Sequence, residues 1–318
     1  MNFLVTGSDG FVGSYLCDYL VSKKHFVRGA LLQNTELLMP GVTKYIIGNI
    51  GEETDWGEAL SSIDVVIHTA ARVHVMSDKA SNPLAEFRKT NVDGTKNLAI
   101  QAAKAGVKRL VFISSIKVNG ESTCKNEPFR YSDLPSPQDP YGISKYEAEK
   151  ELKQISENTG LEVVIVRPPL VYGPGVKANF HNMMKWVNRG VPLPLGSINN
   201  RRSLVSLFNL VDFLYCCSTN ENAANKTFLV SDDEDISTTN LLKKIENTMG
   251  KKSRLIPISP NIISTTAGLL GKGDFAKRLL GSLQLDISYS KNELGWSPVS
   301  SIDETLEKTV KYFLENRA

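Results

Sequence analysis

The first thirteen residues restrict the fold most. The apolar run Phe3-Leu4-Val5 leads straight into Thr6-Gly7-Ser8-Asp9-Gly10-Phe11-Val12-Gly13, and a helical pattern follows over Phe11–Ser22, with Phe11, Val12, Tyr15, Leu16, Tyr19 and Leu20 on its apolar side. A strand that becomes a helix through three glycines has a specific use. Gly7 permits a tight turn, Gly10 lets a phosphate approach the backbone, and Gly13 lets the helix lie close on the strand. The helix start then offers unpaired N–H groups and a favourable dipole to an anion, the arrangement that cradles a dinucleotide. Further apolar runs at 26–32, 45–47, 64–68, Arg109–Ile113 and 163–166, and a helical stretch at 91–105, continue the rhythm. Runs without polar alternation suit parallel strands buried on both faces. The alternation of strands and helices predicts an α/β fold, a doubly wound parallel sheet.

The rhythm breaks after Arg167, at Pro168-Pro169, Gly173-Pro174-Gly175 and Pro192-Leu193-Pro194. Helical patterns return at 239–249 and Ile302–Glu315, which suggests a smaller mixed α/β C-terminal part over the substrate. The expected division is 1–166 with roughly 204–230 for the dinucleotide, and 167–203 with 231–318 for the substrate. With 37 basic and 34 acidic residues, the net charge of +3 argues against nucleic acid or an anionic membrane as partner and suits a small anionic substrate. The four cysteines, Cys17, Cys124, Cys216 and Cys217, have neither metal-ligand nor disulfide-framework spacing, so no metal and a reducing compartment are expected. The run 204–217 is short and carries Asn209 and Asp212, so no membrane insertion is expected. The N-terminus enters a strand without room for a signal peptide, which points to the cytoplasm.

The second informative motif is Tyr141-Gly142-Ile143-Ser144-Lys145. Tyr141 and Lys145 share one helix face if the helix begins near Pro140. A phenol titrates near pH 10 and needs help to act as a base at neutral pH; a nearby ammonium supplies it by stabilising the phenolate. Ser114-Ser115 closes the strand ending at Ile113, placing a hydroxyl at the carboxyl end of a central strand, where α/β enzymes build their sites. At the end of the second strand, Val27 to Asn34 offers no acid to select NAD; Arg28 is mid-strand, and Gln33 and Asn34 serve either cofactor. On these residues the choice between NAD and NADP stays open.

These motifs, in this order, resemble the extended short-chain dehydrogenase/reductase family, in its nucleotide-sugar epimerase/dehydratase branch. The resemblance continues through Val66-Ile67-His68-Thr69-Ala70-Ala71, Asn91-Val92-Asp93-Gly94-Thr95, the stretch from Arg167 to Gly175, and Leu294-Gly295-Trp296-Ser297-Pro298. It implies a Rossmann sheet, with Ser115 rather than Ser114 as catalytic hydroxyl, Tyr141 as acid/base and Lys145 as its partner. It assigns the cofactor to Gly7, Asp9, Gly10, Phe11, Val12, Gly13, Asn49, Ile50, Thr69, Ala70, Ala71, Asn91, Ser114, Tyr141, Lys145 and Pro168. It assigns a UDP-sugar to Ser115, Asn179, Arg202, Arg278 and Leu283, the last near a position that gates the group on sugar carbon 2. It also implies a homodimer through the helices around 91–105 and 141–157.

Three departures bear on the reaction. Leu170 replaces an asparagine that contacts substrate in many relatives, and Asn49-Ile50 replaces an Asp-Ile beside the adenine. Ile116-Lys117 stands where dehydratases carry an Asp-Glu pair, which argues against 4,6-dehydration. The resemblance then implies hydride transfer at sugar carbon 4. The reading carried forward is a 4-epimerase of a UDP-hexose or UDP-N-acetylhexosamine, with NAD ahead of NADP. The alternatives are an NAD(P)H-dependent reductase of a UDP-4-keto-6-deoxy-N-acetylhexosamine, a polyprenyl-diphosphate-linked sugar as substrate, and a non-catalytic dinucleotide-binding sensor.

Overall fold

The apolar runs of the first half form strands whose alternate residues feed two separate cores. The computed structural model describes residues 1–34, 40–73, 82–124, 126–251, 254–271 and 273–316. Its strands are β1 (Asn2–Thr6), β2 (Phe26–Leu31), β3 (Val42–Ile46), β4 (Val65–His68), β5 (Arg109–Ile113), β6 (Glu162–Arg167), β7 (Leu170–Tyr172), β8 (Pro192–Leu193), β9 (Arg202–Ser206), β10 (Thr227–Leu229), β11 (Asp235–Ile236) and β12 (Arg254–Leu255). Its helices are α1 (Phe11–Ser22), α2 (Gly57–Leu60), α3 (Pro83–Arg88), α4 (Thr95–Lys104), α5 (Pro140–Thr159), α6 (Ala178–Asn188), α7 (Leu207–Thr219), α8 (Thr238–Thr248), α9 (Pro260–Leu269), α10 (Gly273–Leu280), α11 (Ser288–Leu294) and α12 (Ile302–Glu315).

Seven strands form one parallel sheet in the order β3-β2-β1-β4-β5-β6-β10. Phe3, Val5, Val65, Ile67, Val111 and Val164 face a core shared with Leu16 and Leu20 of α1 and Leu210 and Leu214 of α7. Leu4, Val66, Leu110, Phe112 and Val163 face the opposite core, with Leu98 and Ala102 of α4 and Leu152 of α5. Helices on both faces explain the unbroken apolar runs. Strand order reverses between β1 and β4, and a doubly wound sheet places its crevice at such a point, outside the strand ends.

Two elements differ from the sequence expectation. The run at 45–47 proves to be the end of β3, which starts at Val42 and exposes Thr43 and Lys44. An edge strand buries one face only, so its apolar signal is thin. The helix expected over 91–105 opens with a π-helical turn, Lys89–Gly94, that joins α3 to α4. Gly94 lies beneath the 49–51 loop, where an added Cβ would come 2.6 Å from Ile50 Cγ2.

After β6 the chain builds small sheets, β7-β9-β11 and β8-β12, over a third core with Tyr172, Phe180, Leu242, Leu306 and Val310. It re-enters the large sheet through α7, which packs on α1, and through β10, which pairs with β6. Buried Asp232 ties the two regions together. It accepts hydrogen bonds from Ser206 N (2.7 Å), Asn209 Nδ2 (2.6 Å) and the Tyr172 hydroxyl (2.8 Å). The four cysteines are free thiols; Cys17 and Cys217 are buried beside the sheet, and burial pushes the Cys17 thiol up to about 12. Among the described residues no helix is long and apolar enough to cross a membrane.

Candidate active site

The glycine turn packs as its sequence requires. Gly7 has φ +62°, and an added Cβ would meet Ala70 Cα at 3.0 Å; at Gly13 it would lie 2.1 Å from the Gly7 carbonyl oxygen. Thr69 Oγ1 donates to Thr6 O (2.6 Å), and Thr6 Oγ1 accepts from Ala70 N (3.1 Å), clamping the loop after β4 onto the turn. Helix α1 has no side-chain N-cap and no acid in its first turn, whereas α5, α7, α8 and α12 are capped by Asp139, Ser206, Ser237 and Ser301. An uncapped helix start behind a glycine turn leaves backbone N–H groups for an anion, which fits a dinucleotide pyrophosphate. Asp9 and Gly10 are exposed there; Phe11 and Val12 send their side chains into the core.

The end of β2 bears on cofactor choice. Leu32, Gln33 and Asn34 are exposed and none is acidic. Arg28, the basic residue of that strand, donates to the carbonyls of Glu58 (3.0 Å), Ala59 (2.8 Å) and Ser61 (3.0 Å). Through Nη1 it closes the carboxyl end of α2. Asn49 is exposed beyond β3, while Ile50 packs on the second core.

Helix α5 begins at Pro140 and carries both members of the proton-transfer pair on one face. Lys145 is buried; its Nζ donates to Ile113 O (2.8 Å) and lies 4.5 Å from the Phe112 ring centroid and 6.0 Å from that of Tyr141. Burial lowers Lys145 to about 7, against the Glu149 carboxylate one turn on, which acts the other way. Tyr141 is half-buried, edge-on to Phe87, and its phenol is raised by burial and then by the Asp139 carboxylate. Beneath the pair, His68 accepts or donates between Thr6 Oγ1 (2.7 Å) and Thr95 Oγ1 (3.0 Å); burial, and then Lys145, lowers it to about 3, so it is neutral.

The two adjacent serines have different surroundings. Ser114 is buried and donates to Glu149 Oε1 at 2.5 Å. Ser115 is half-buried, and among the described residues its Oγ is engaged by a 3.3 Å bond from Lys117 N. Extended backbone at Ser115 therefore presents the hydroxyl at the end of β5, while Ser114 anchors the strand. Pro168 O accepts from Ile116 N (3.0 Å), fastening the turn after Ser115 to the end of β6.

Sequence reasoning missed the groups that hold these side chains. Glu149 accepts Arg167 Nε (2.9 Å) and Nη2 (2.5 Å), and Arg167 Nη1 donates to Asn119 Oδ1 (2.9 Å), all of them buried. Glu149 stands four residues after Lys145, a spacing that could have flagged it. Asn91, which the sequence reading assigned to the cofactor, joins Arg72 N (2.8 Å) and Arg72 O (3.0 Å) to Ser144 Oγ (3.0 Å), so its side chain ties the loop after β4 to α5. Ala71 lies on that loop, half-buried.

Of the substrate residues, three come together. Arg202 Nη1 donates to Arg278 O (2.7 Å) and Gly281 O (3.1 Å), and Arg202 forms a parallel bridge with Leu283. Leu283 is buried with Leu285 and Ile287 in the first core, so its side chain offers little surface to a sugar. Asn179 is exposed on the first turn of α6, and Leu170 is 40% exposed at the start of β7.

A family model described as the NAD dependent epimerase/dehydratase family matches residues 3–231. The chain belongs to this family. Among its relatives, a UDP-glucose 4-epimerase of Vibrio cholerae is 44% identical over 99% of this chain and 96% of that protein. An N-acetyl-α-D-glucosaminyl-diphospho-ditrans,octacis-undecaprenol 4-epimerase of Escherichia coli O157:H7 is 28% identical over 79% of this chain and 73% of that protein. The family fold is matched by the crystal structure of a UDP-glucuronic acid 4-epimerase from Bacillus cereus in complex with NAD, with TM-score 0.81, 22% identity and 99% coverage of both chains. A UDP-glucose 4-epimerase with UDP-glucose from Thermotoga maritima gives TM-score 0.79 at 27% identity, again covering 99% of both chains.

Proposed function

We propose that this epimerase/dehydratase family member is an NAD-dependent 4-epimerase of a UDP-hexose or UDP-N-acetylhexosamine. The observation that carries the reading is the half-buried Tyr141 beside a buried Lys145, together with Ser115 at the end of β5, its Oγ held by a single long bond from Lys117 N and no carboxylate following it in the sequence. Ser115 is suited to hydrogen-bond the sugar oxygen at carbon 4, and Tyr141 to take and return its proton. Lys145 would favour the phenolate and hold the nicotinamide ribose. The bound nicotinamide would accept a hydride from carbon 4 and give it back. The residues at 7–13, 69–71 and 168 are assigned to the cofactor, and Arg202 with Arg278 to the diphosphate. NAD is favoured over NADP, in keeping with Arg28 Nη1 being held at the end of α2. The 44% identity to a UDP-glucose 4-epimerase along nearly the whole chain supports the same reading.

A second reading has its own observation. No carboxylate stands among the described residues 32–34 that follow β2, and Leu170 stands at the head of β7, which suits a reductase of a UDP-4-keto-6-deoxy sugar that exchanges its cofactor. Incubating the purified protein with UDP-glucose, UDP-galactose and their N-acetyl forms without added cofactor separates the two. Interconversion supports the epimerase. A requirement for NADPH, with none of the four sugars interconverted, sinks it. We assign the protein to a homodimer built on the faces of α4 and α5, and to the cytoplasm, in keeping with its free thiols.

A further inference from the structure

Beside the catalytic helix lies a charge cluster that hydride transfer does not use. Lys117, two residues past Ser115, holds its Nζ between the carboxylates of Asp139 and Glu121, the latter at 3.0 Å. Asp139 is the N-cap of α5: its other oxygen accepts from Gly142 N at 2.7 Å. Glu121 reaches on to Arg278 Nε at 3.8 Å. Helix and turn are pressed together, for a Cβ at Gly142 would come 3.0 Å from Lys117 O and 3.3 Å from Lys117 Cβ. Both charged side chains are largely shielded, 24% exposed for Lys117 and 15% for Asp139, so the pair is more than a solvated surface bridge.

We propose that Lys117 is a positioning residue that acts on Tyr141 through Asp139, neutralising the N-cap carboxylate and fixing the first turn of α5, and so sets the pH at which Tyr141 gives up its proton. The inference rests on the proposed acid/base role of Tyr141. An unpaired carboxylate two residues away opposes formation of a phenolate, and a lysine paired with it removes that opposition. Burial would raise the Asp139 carboxyl, but the bonds from Lys117 and Gly142 N outweigh it and hold the group ionised. Other groups also surround Tyr141. They are Lys145 on its own helix, with Glu149 one turn on, and Phe87 from α3, with the Arg72 guanidinium 5.7 Å from its ring centroid. Glu121 and Arg278 complete the cluster behind Lys117.

The test follows Tyr141 itself, by titrating its ultraviolet phenolate band in NAD-loaded protein as the difference from Tyr141→Phe, alongside the pH profile of kcat. Lys117→Met is expected to move both midpoints up by about one pH unit, a roughly tenfold loss of rate below the midpoint. Lys117→Arg should restore them. Asp139→Asn, which keeps a capping oxygen, is expected to move them down, and adding Lys117→Met to it should shift them less than half as far as in the native background. An unmoved midpoint in Lys117→Met, or an equal shift in both backgrounds, overturns the proposal. Should Lys117→Met not fold, a midpoint in Asp139→Asn that stays or rises overturns it as well. The phenolate band needs no sugar. Absence of epimerisation would therefore defeat the functional reading while leaving this test readable.

Discussion

At Tyr141 the protein places a phenol that burial makes a weak acid next to an amine that burial makes a weak base. The two shifts have the same cause, removal of each group from water. Tyr141→Phe keeps the ring against Phe87 and removes only the oxygen. It should lower kcat by about 10²–10⁴-fold with an unchanged melting temperature, read by steady-state kinetics and circular dichroism. His68 makes a prediction about stability. Its folded value near 3 lies below the unfolded 6.5, so the unfolded chain binds the extra proton first on acidification. The contribution is complete above pH 6.5 and should be lost as pH falls toward 3, at roughly 1.4 kcal/mol per unit. Denaturant melts at pH 7, 5 and 4 check this: His68→Asn should flatten the slope by about one proton, and an unaltered slope would refute the assignment.

At the scale of elements, the glycine turn and α5 each depend on a close approach. Gly13→Ala would drive a Cβ to 2.1 Å from Gly7 O, so the turn or helix α1 must shift. The expected outcome is a loss of NAD binding by more than tenfold, with a destabilisation of about 1–3 kcal/mol, measured by calorimetric titration and thermal melts. A cap offers a smaller test. Ser301 and Glu304 form a reciprocal capping box on α12, and Ser301→Ala should cost about 1 kcal/mol in chemical denaturation without changing kcat. These elements show what the sequence could reveal. The turn at 7–13 and the Tyr141–Lys145 face were legible because short-range spacing encodes them. Strand β3 was half-hidden because one face is solvated, and the π turn at Lys89–Gly94 leaves no periodic signature. The Arg167–Glu149–Ser114 network and the Lys117–Asp139 pair join residues far apart in the chain, and of their members the i,i+4 spacing to Lys145 marked Glu149 alone.

Over the whole molecule, the doubly wound sheet brings the ends of β1, β4, β5 and β6 to one edge, and Arg278 of α10 reaches Glu121 in the chain that follows β5. The doubly wound parallel sheet was foreseeable from the βα rhythm. The sequence expectation already assigned roughly 204–230, which holds α7 and β10, to the large sheet's part; the fastening of the two regions through Asp232 and its three buried donors belongs to tertiary structure. The gathering of Arg202, Arg278 and Leu283 into one cluster likewise belongs to tertiary structure. This architecture supports a closed redox cycle, in which the hydrogen removed from sugar carbon 4 never leaves the protein. The most direct measurement is to interconvert UDP-glucose and UDP-galactose in D2O without added cofactor and to examine carbon 4 of the product by NMR. A hydride that leaves and returns through the bound nicotinamide gives product with hydrogen, not deuterium, at carbon 4. Deuterium at that carbon, or no interconversion until NADPH is supplied, would contradict it.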